Sequence, residues 1–182
     1  NAAKKLVALH QSAHIVVSYF LGFSPEYVSL DSNGGGEYKI DFGKKSSVAI
    51  PLMVGEISPD LFSFYSDMPK KMVFDLAKRI CYILIAGGIA ENIAKVKNIY
   101  IGINEVGLTG PDVSRASVLA EHFSVDLIKE TIFLYECLKD ERFWDPVDQL
   151  AHDLLSSSEK RLQTDAIAGS LKNSGCYDFL SD

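Results

Sequence analysis

Lys4-Lys5-Leu6-Val7-Ala8-Leu9-His10-Gln11-Ser12-Ala13-His14-Ile15-Val16-Val17-Ser18-Tyr19-Phe20-Leu21 is the stretch whose reading decides the fold. Leu6, Val7, Leu9, Ala13, Val16, Val17, Phe20 and Leu21 form a broad apolar surface at helical spacing. The segment from about Ala2 to Leu21 therefore reads as a helix built into a core. Gly22 suits the position just past a helix end, and Ser24-Pro25 reinforces the break. Within the helix, His10 and His14 stand four residues apart. They share one face, separated by roughly 6 Å of rise. Two imidazoles at that spacing can reach one zinc ion. The zinc-peptidase motif H-E-x-x-H places a glutamate after the first histidine as general base. Gln11 occupies that place here. Two histidines at this spacing also occur in helices that bind no metal, so a helical interaction domain is the competing reading.

Working outward, Glu26-Tyr27-Val28-Ser29-Leu30 alternates as a strand does, and so does Glu37-Tyr38-Lys39-Ile40-Asp41-Phe42. Asp31-Ser32-Asn33-Gly34-Gly35-Gly36 between them is a turn signal, which predicts a hairpin. The glycine run lacks the G-x-x-x-x-G-K-[ST] pattern of a phosphate loop. A third short strand is expected at Ser47 to Leu52. Met53 to Met68 reads as a loop whose Phe62, Phe64 and Tyr65 pack on the core or line a groove, packing being the commoner case.

A second long helix is expected from Asp67-Met68-Pro69 to about Lys95 or Lys97, apolar nearly all round from Cys81 to Ile89. Gly87-Gly88 would weaken it in isolation and suit close approach of another helix. Glu91 near its end needs a partner or solvent. Asn98 to Leu108 reads as a connection. Thr109 is the expected cap of a third helix, with Asp112 in its first turn. Ser124 is expected to cap a fourth helix, from Val125 to about Lys139. Asp145-Pro146 is expected to open a fifth that runs to about Gln163. A short amphipathic piece, Thr164 to Leu171, precedes a polar tail.

The fold class expected is mainly α, a helical bundle with a small antiparallel β element after the first helix. The 182 residues suit one domain over 1–164, followed by a short helix and tail over 165–182. Hydrophobic residues make up 47% and charged residues 23%, enough apolar material for a sizeable core. A net charge of −6, with no block of lysine or arginine, argues against a nucleic-acid surface. Cys81, Cys137 and Cys176 are odd in number and widely spaced, which fits reduced thiols and a cytoplasmic location. The longest apolar run, Ile80 to Ala90, is too short to span a bilayer. No transmembrane segment is expected within the chain, and any membrane association would come through a partner or another segment. Spacing alone does not choose a third metal ligand. His122, His152 and many carboxylates are available.

Several segments in this order resemble the peptidase domain of the FtsH-type, ATP-dependent zinc metalloproteases. His10 to Gly22 followed by Pro25 to Leu30 is similar to the family's "HEAGHAVVAYLLG" helix and its "PEYVSL"-like strand. Leu84-Ile85-Ala86-Gly87-Gly88-Ile89-Ala90-Glu91-Asn92-Ile93 resembles the "LAGRAAEEL" segment. Pro111-Asp112-Val113-Ser114-Arg115-Ala116-Ser117-Val118-Leu119-Ala120 resembles the "ND...AT.LA" helix start. Each match is partial, and together they cover roughly Leu6 to Thr164.

The resemblance implies zinc as cofactor, with His10, His14 and Asp112 as its ligands. It implies that Glu91 hydrogen-bonds a ligand histidine and that Gln11 stands where the catalytic glutamate would be. Ala13 replaces a glycine of the family motif. A polypeptide substrate or protein partner, a separate ATPase and an oligomeric state also follow from it. A neutral carboxamide cannot take a proton from water, and loss of a general base typically removes about 10²–10⁴-fold in rate. The expected function is thus a zinc-binding domain of a metallopeptidase family, impaired in peptide hydrolysis. A working endopeptidase silenced by an engineered Gln11 is the alternative within the family.

Overall fold

The computed structural model describes residues 2–57, 69–98 and 110–172. Its elements are α1 (Ala2–Phe20), β1 (Ser24–Leu30), β2 (Gly36–Asp41), a 3-10 turn (Gly43–Lys45), α2 (Ser46–Met53) and α3 (Lys70–Asn98). There follow α4 (Pro111–Phe123), α5 (Leu127–Lys139), α6 (Glu141–Ser156), β3 (Arg161–Gln163) and α7 (Thr164–Leu171). The protein is mainly helical, with one small three-stranded antiparallel sheet.

Helix α1 is the axis. Eleven of its residues between Ala8 and Phe20 are buried, because α3 and α6 pack along it and the sheet covers a third side. It ends as its sequence suggests. Gly22 takes φ +85°, Phe23 N–H donates to Ser18 O and Gly22 N–H to Tyr19 O, each at 3.0 Å, a Schellman closure. Arg79 on α3 adds a cap from outside by donating to Leu21 O at 2.7 Å. Helix α3 is buried around its middle, where Ile80, Ile83, Ile85 and Ile89 are inaccessible to solvent. Helix α6 is one-sided. Phe143, Trp144, Val147, Leu150, Ala151 and Leu154 are buried at helical spacing.

The expected hairpin forms, with Val28 opposite Tyr38 and Ser29 opposite Glu37. Asp31 Oδ1 organises its turn by accepting from Asn33 N–H and Gly35 N–H, both at 2.8 Å. The third strand does not come from Ser47 to Leu52. Those residues lie in helix α2, which buries Val48, Ala49 and Leu52 on one stripe despite Pro51 inside it. A short apolar run does not distinguish strand from helix by periodicity, and packing decided here. Strand β3 pairs with β1 instead, Val28 opposite Leu162, and β1 becomes the central strand in the order β2-β1-β3. The fifth predicted helix therefore stops at Ser156, short of Gln163, because residues 161–163 are drawn into the sheet.

Two starts also differ. Helix α6 begins five residues before the expected Pro146, capped by Asp140, whose Oδ1 accepts from Arg142 N–H at 2.9 Å. Burial of Phe143 and Trp144 favours the earlier start, and Pro146 lies inside the helix. Ser124 does not cap α5. It is the left-handed residue that closes α4, at φ +56°, and Asp126 caps α5 by accepting from Lys129 N–H at 3.1 Å. Helix α4 starts on Gly110 and Pro111. The expected Thr109 cap, the 99–108 connection, Cys176 and the trio Phe62, Phe64 and Tyr65 lie outside the described residues. Helix α7 packs on α6 and β1 and buries Ile167 and Leu171. Among the described residues, no helix is long and apolar enough to cross a membrane.

Candidate metal centre

Three helices converge on one point. Helix α1 carries His10 and His14, α3 carries Glu91, and α4 carries Asp112 in its first turn. The Nδ1 atom of each imidazole is already engaged. His10 Nδ1 lies 2.7 Å from Glu91 Oε1, and His14 Nδ1 lies 2.6 Å from Ile83 O, to which it donates. Those bonds turn both Nε2 atoms to the same side, where Asp112 Oδ2 meets them at 3.8 Å from His10 and 3.5 Å from His14. A partner that fixes the far nitrogen is the usual way a ligating imidazole is oriented. Among the described residues, only this group of His, Cys, Asp and Glu side chains brings three ligating atoms within range of one ion, all within 4.8 Å of one another.

Two features of the site match a metal's requirements. His14 is fully buried, yet its Nε2 has no hydrogen-bonding partner. A buried polar nitrogen left so is costly unless something occupies the space it faces. The second feature is Gly87 on α3. A β-carbon there would come within 2.5 Å of both Nε2 atoms, so only glycine leaves the space in front of the imidazoles open. Tetrahedral ligands at about 2.0–2.2 Å from zinc are separated by roughly 3.4 Å, close to the Asp112 distances found here. Two imidazoles and a carboxylate, with an unfilled fourth direction, can hold a divalent ion.

Charge within the site follows the same geometry. Burial works against a charged His10, but the Asp112 and Glu91 carboxylates outweigh it and push the imidazole up to about 9. Burial dominates at His14 and holds it below the ordinary histidine value. At Asp112, burial opposes ionisation, yet the two histidines keep the carboxyl well below the usual carboxylate range. The hydrogen bond from His10 lowers Glu91 as well.

The centre opens onto a cleft of about 700 Å³, lined by His10, Gln11, Tyr38, Glu91, Asp112 and Arg115 among others. Gln11 is 8% exposed, its Oε1 has no hydrogen-bonding partner, and a β-carbon on Gly36 of β2 would meet its Cγ at 2.9 Å. Three contributors escaped the sequence reading. Tyr38 stacks on His14, with centroids 4.3 Å apart and planes 18° from parallel. Arg115 Nη1 donates to Asp112 Oδ1 at 3.2 Å, leaving Oδ2 to face the histidines. In sequence, Gly87 suggests only room for a neighbouring helix. The i, i+3 spacing of Asp112 and Arg115 was the available signal for one of them. Nothing local signals Tyr38. His122 and His152 are exposed and take no part in the cluster.

Comparison of the chain with protein-family models, with curated proteins and with solved structures found no match.

Proposed function

We propose that this chain is a zinc-binding domain of the FtsH-type metallopeptidase family, impaired in peptide hydrolysis because Gln11 stands in the place of the general base. The observation that carries the reading is the meeting of His10 Nε2, His14 Nε2 and Asp112 Oδ2 before a glycine that leaves the space open. His10, His14 and Asp112 would hold the ion, and their donor set of two imidazoles and one carboxylate suits zinc. Bound there, zinc would supply Lewis acidity and lower the pKa of water in its open position. The chain's own residues determine the rest. Glu91 and Ile83 O orient the imidazoles, Arg115 orients the Asp112 carboxylate, and Tyr38 restrains the His14 ring. Gln11 can hydrogen-bond a ligand through its carboxamide but cannot accept a proton at neutral pH. The ligand class this reading implies is polypeptide, received in the cleft between α1, α4 and the hairpin.

Zinc content of protein purified without a metal-binding tag tests the first half. One zinc per chain, lost in His14→Ala, is expected; a chain that takes up no divalent metal would refute the reading. Gln11→Glu assayed on an unfolded protein tests the second half. Cleavage should appear in the variant and stay about 10²–10⁴-fold lower in the chain as written. Equal cleavage by both would show that Gln11 does not impair the site.

A further inference from the structure

Away from the metal centre, charge is spread unevenly over the chain. Lys44 and Lys45 lie in the 3-10 turn, and Lys70, Lys71 and Arg79 lie in the first three turns of α3. Lys45, Met72, Asp75, Leu76 and Arg79 line one shallow depression of about 130 Å³, so turn and helix form a single surface. The five cations stand there with two carboxylates, Asp41 and Asp75. The surface is thus three charges positive on a chain of net −6, which leaves −9 for the remainder. The turn is fixed: Gly43 N–H donates to Asp41 Oδ1 and the Ser46 hydroxyl to Gly43 O, each at 2.7 Å. Lys44, Lys70 and Lys71 are exposed. Lys78, further along α3, is held by Glu130 at 3.0 Å, whereas no ion pair among the described residues engages Lys44, Lys45, Lys70 or Lys71. Two apolar side chains stand out from the same stretch. Met72 is 46% exposed and Phe74 38%, while Val73, Leu76 and Ala77 beside them are buried.

An anionic bilayer attracts clustered lysines and takes up apolar side chains set among them. Protein partners use lysine sparingly in their contacts, and four of these five cations are lysines. We propose that the face formed by the Gly43–Lys45 turn and the start of α3 docks on an anionic lipid surface, with Met72 and Phe74 entering the headgroup layer. Lys71 and Glu91 are about 30 Å apart along α3. The docking face and the metal centre are therefore separate, and the proposal does not depend on zinc.

Cosedimentation of the full chain with vesicles tests it, using phosphatidylcholine alone and phosphatidylcholine with about 30% phosphatidylserine. The chain is expected to bind the anionic vesicles at least about tenfold tighter than the neutral ones, and to be released as salt rises from about 0.05 M to 0.5 M. Failure to sediment with anionic vesicles at low salt overturns the proposal. Lys70→Glu with Lys71→Glu should weaken binding at least about tenfold. Lys4→Glu with Lys5→Glu makes the same change of charge at the opposite end of the molecule, because α1 runs antiparallel to α3. That pair should alter binding by less than about twofold, and a loss equal to that of the first pair would overturn the assignment to this face. Met72→Ser with Phe74→Ser keeps the charge and should weaken binding about tenfold. Undiminished binding would overturn the lipid surface and leave a charged face suited to a soluble acidic partner. Circular dichroism confirms that each variant is folded. If the loss of Phe74 unfolds the chain, Met72→Ser, at the more exposed position, carries the same test.

Discussion

At the scale of single residues, Gly87 and His10 are the most informative. Alanine at Gly87 would gain about 1 kcal/mol of helix propensity. Its methyl group would meet both imidazole nitrogens at 2.5 Å, and overpacking of that kind costs about 1–3 kcal/mol. The clash wins. Gly87→Ala should lose zinc binding altogether while its far-ultraviolet circular dichroism stays native, and a variant that binds zinc normally would contradict the geometry. His10 makes the centre sensitive to pH. In the metal-free chain its imidazole is raised from 6.5 to about 9. The stabilisation from its carboxylate partners is therefore complete below about pH 6.5 and lost as pH rises through 9. Asp112 has the opposite sense: its contribution is present above its ordinary value of 3.8 and lost as pH falls. Zinc must displace the His10 proton, so zinc affinity should climb about tenfold per pH unit up to pH 9. Competition with a chelator at three pH values measures the slope, and a flat profile would show that the His10 imidazole is not held protonated in the metal-free chain.

At the scale of elements, local chemistry and packing divide the work. The Gly22 closure of α1 and the Asp31 turn were legible because each is set by residues within one or two turns of chain. The starts of α5 and α6 were not, because each has two candidate caps. Ser124 and Asp126 compete at one, Asp140 and Asp145 at the other, and burial of Phe143 and Trp144 settles the second. Asp140 accepts from Arg142 N–H and also takes its guanidinium at 2.9 and 2.7 Å. Asp140→Ala should destabilise the protein by about 1 kcal/mol, the usual loss on removing a helix cap. Asp145→Ala should leave the urea midpoint nearly unchanged, and the reverse order would place the helix start where the sequence suggested.

At the scale of the whole molecule, the chain's later part closes the fold that α1 begins. Strand β3 pairs with β1 across about 130 residues of sequence, and α7 lays Ile167 and Leu171 into the core, each 1% exposed. Ile167→Ala should therefore lower stability by about 2–5 kcal/mol in a denaturant melt. A change under about half a kcal/mol, typical of surface sites, would mean that α7 is not part of the cooperative unit.

By itself, the sequence determined the apolar α1 with two histidines on one face, the hairpin, the long buried α3 and the mainly helical class. Those features are local, written in periodicity, turn residues and caps. Through its resemblance it also nominated Asp112 and Glu91, about 80 to 100 residues from His10. Only the tertiary structure decided that Glu91 would reach His10 Nδ1, that Asp112 Oδ2 would face both Nε2 atoms, and that Gly87, Tyr38 and Arg115 would complete the surroundings. It also decided that 46–53 would be helix and 161–163 strand. Those outcomes depend on which elements pack together, and no local pattern carries that information. The Nε2 of His14 is the clearest case: in sequence it belongs to one of four histidines, and only the fold buries it beside His10 and Asp112 in a group that could hold a metal ion.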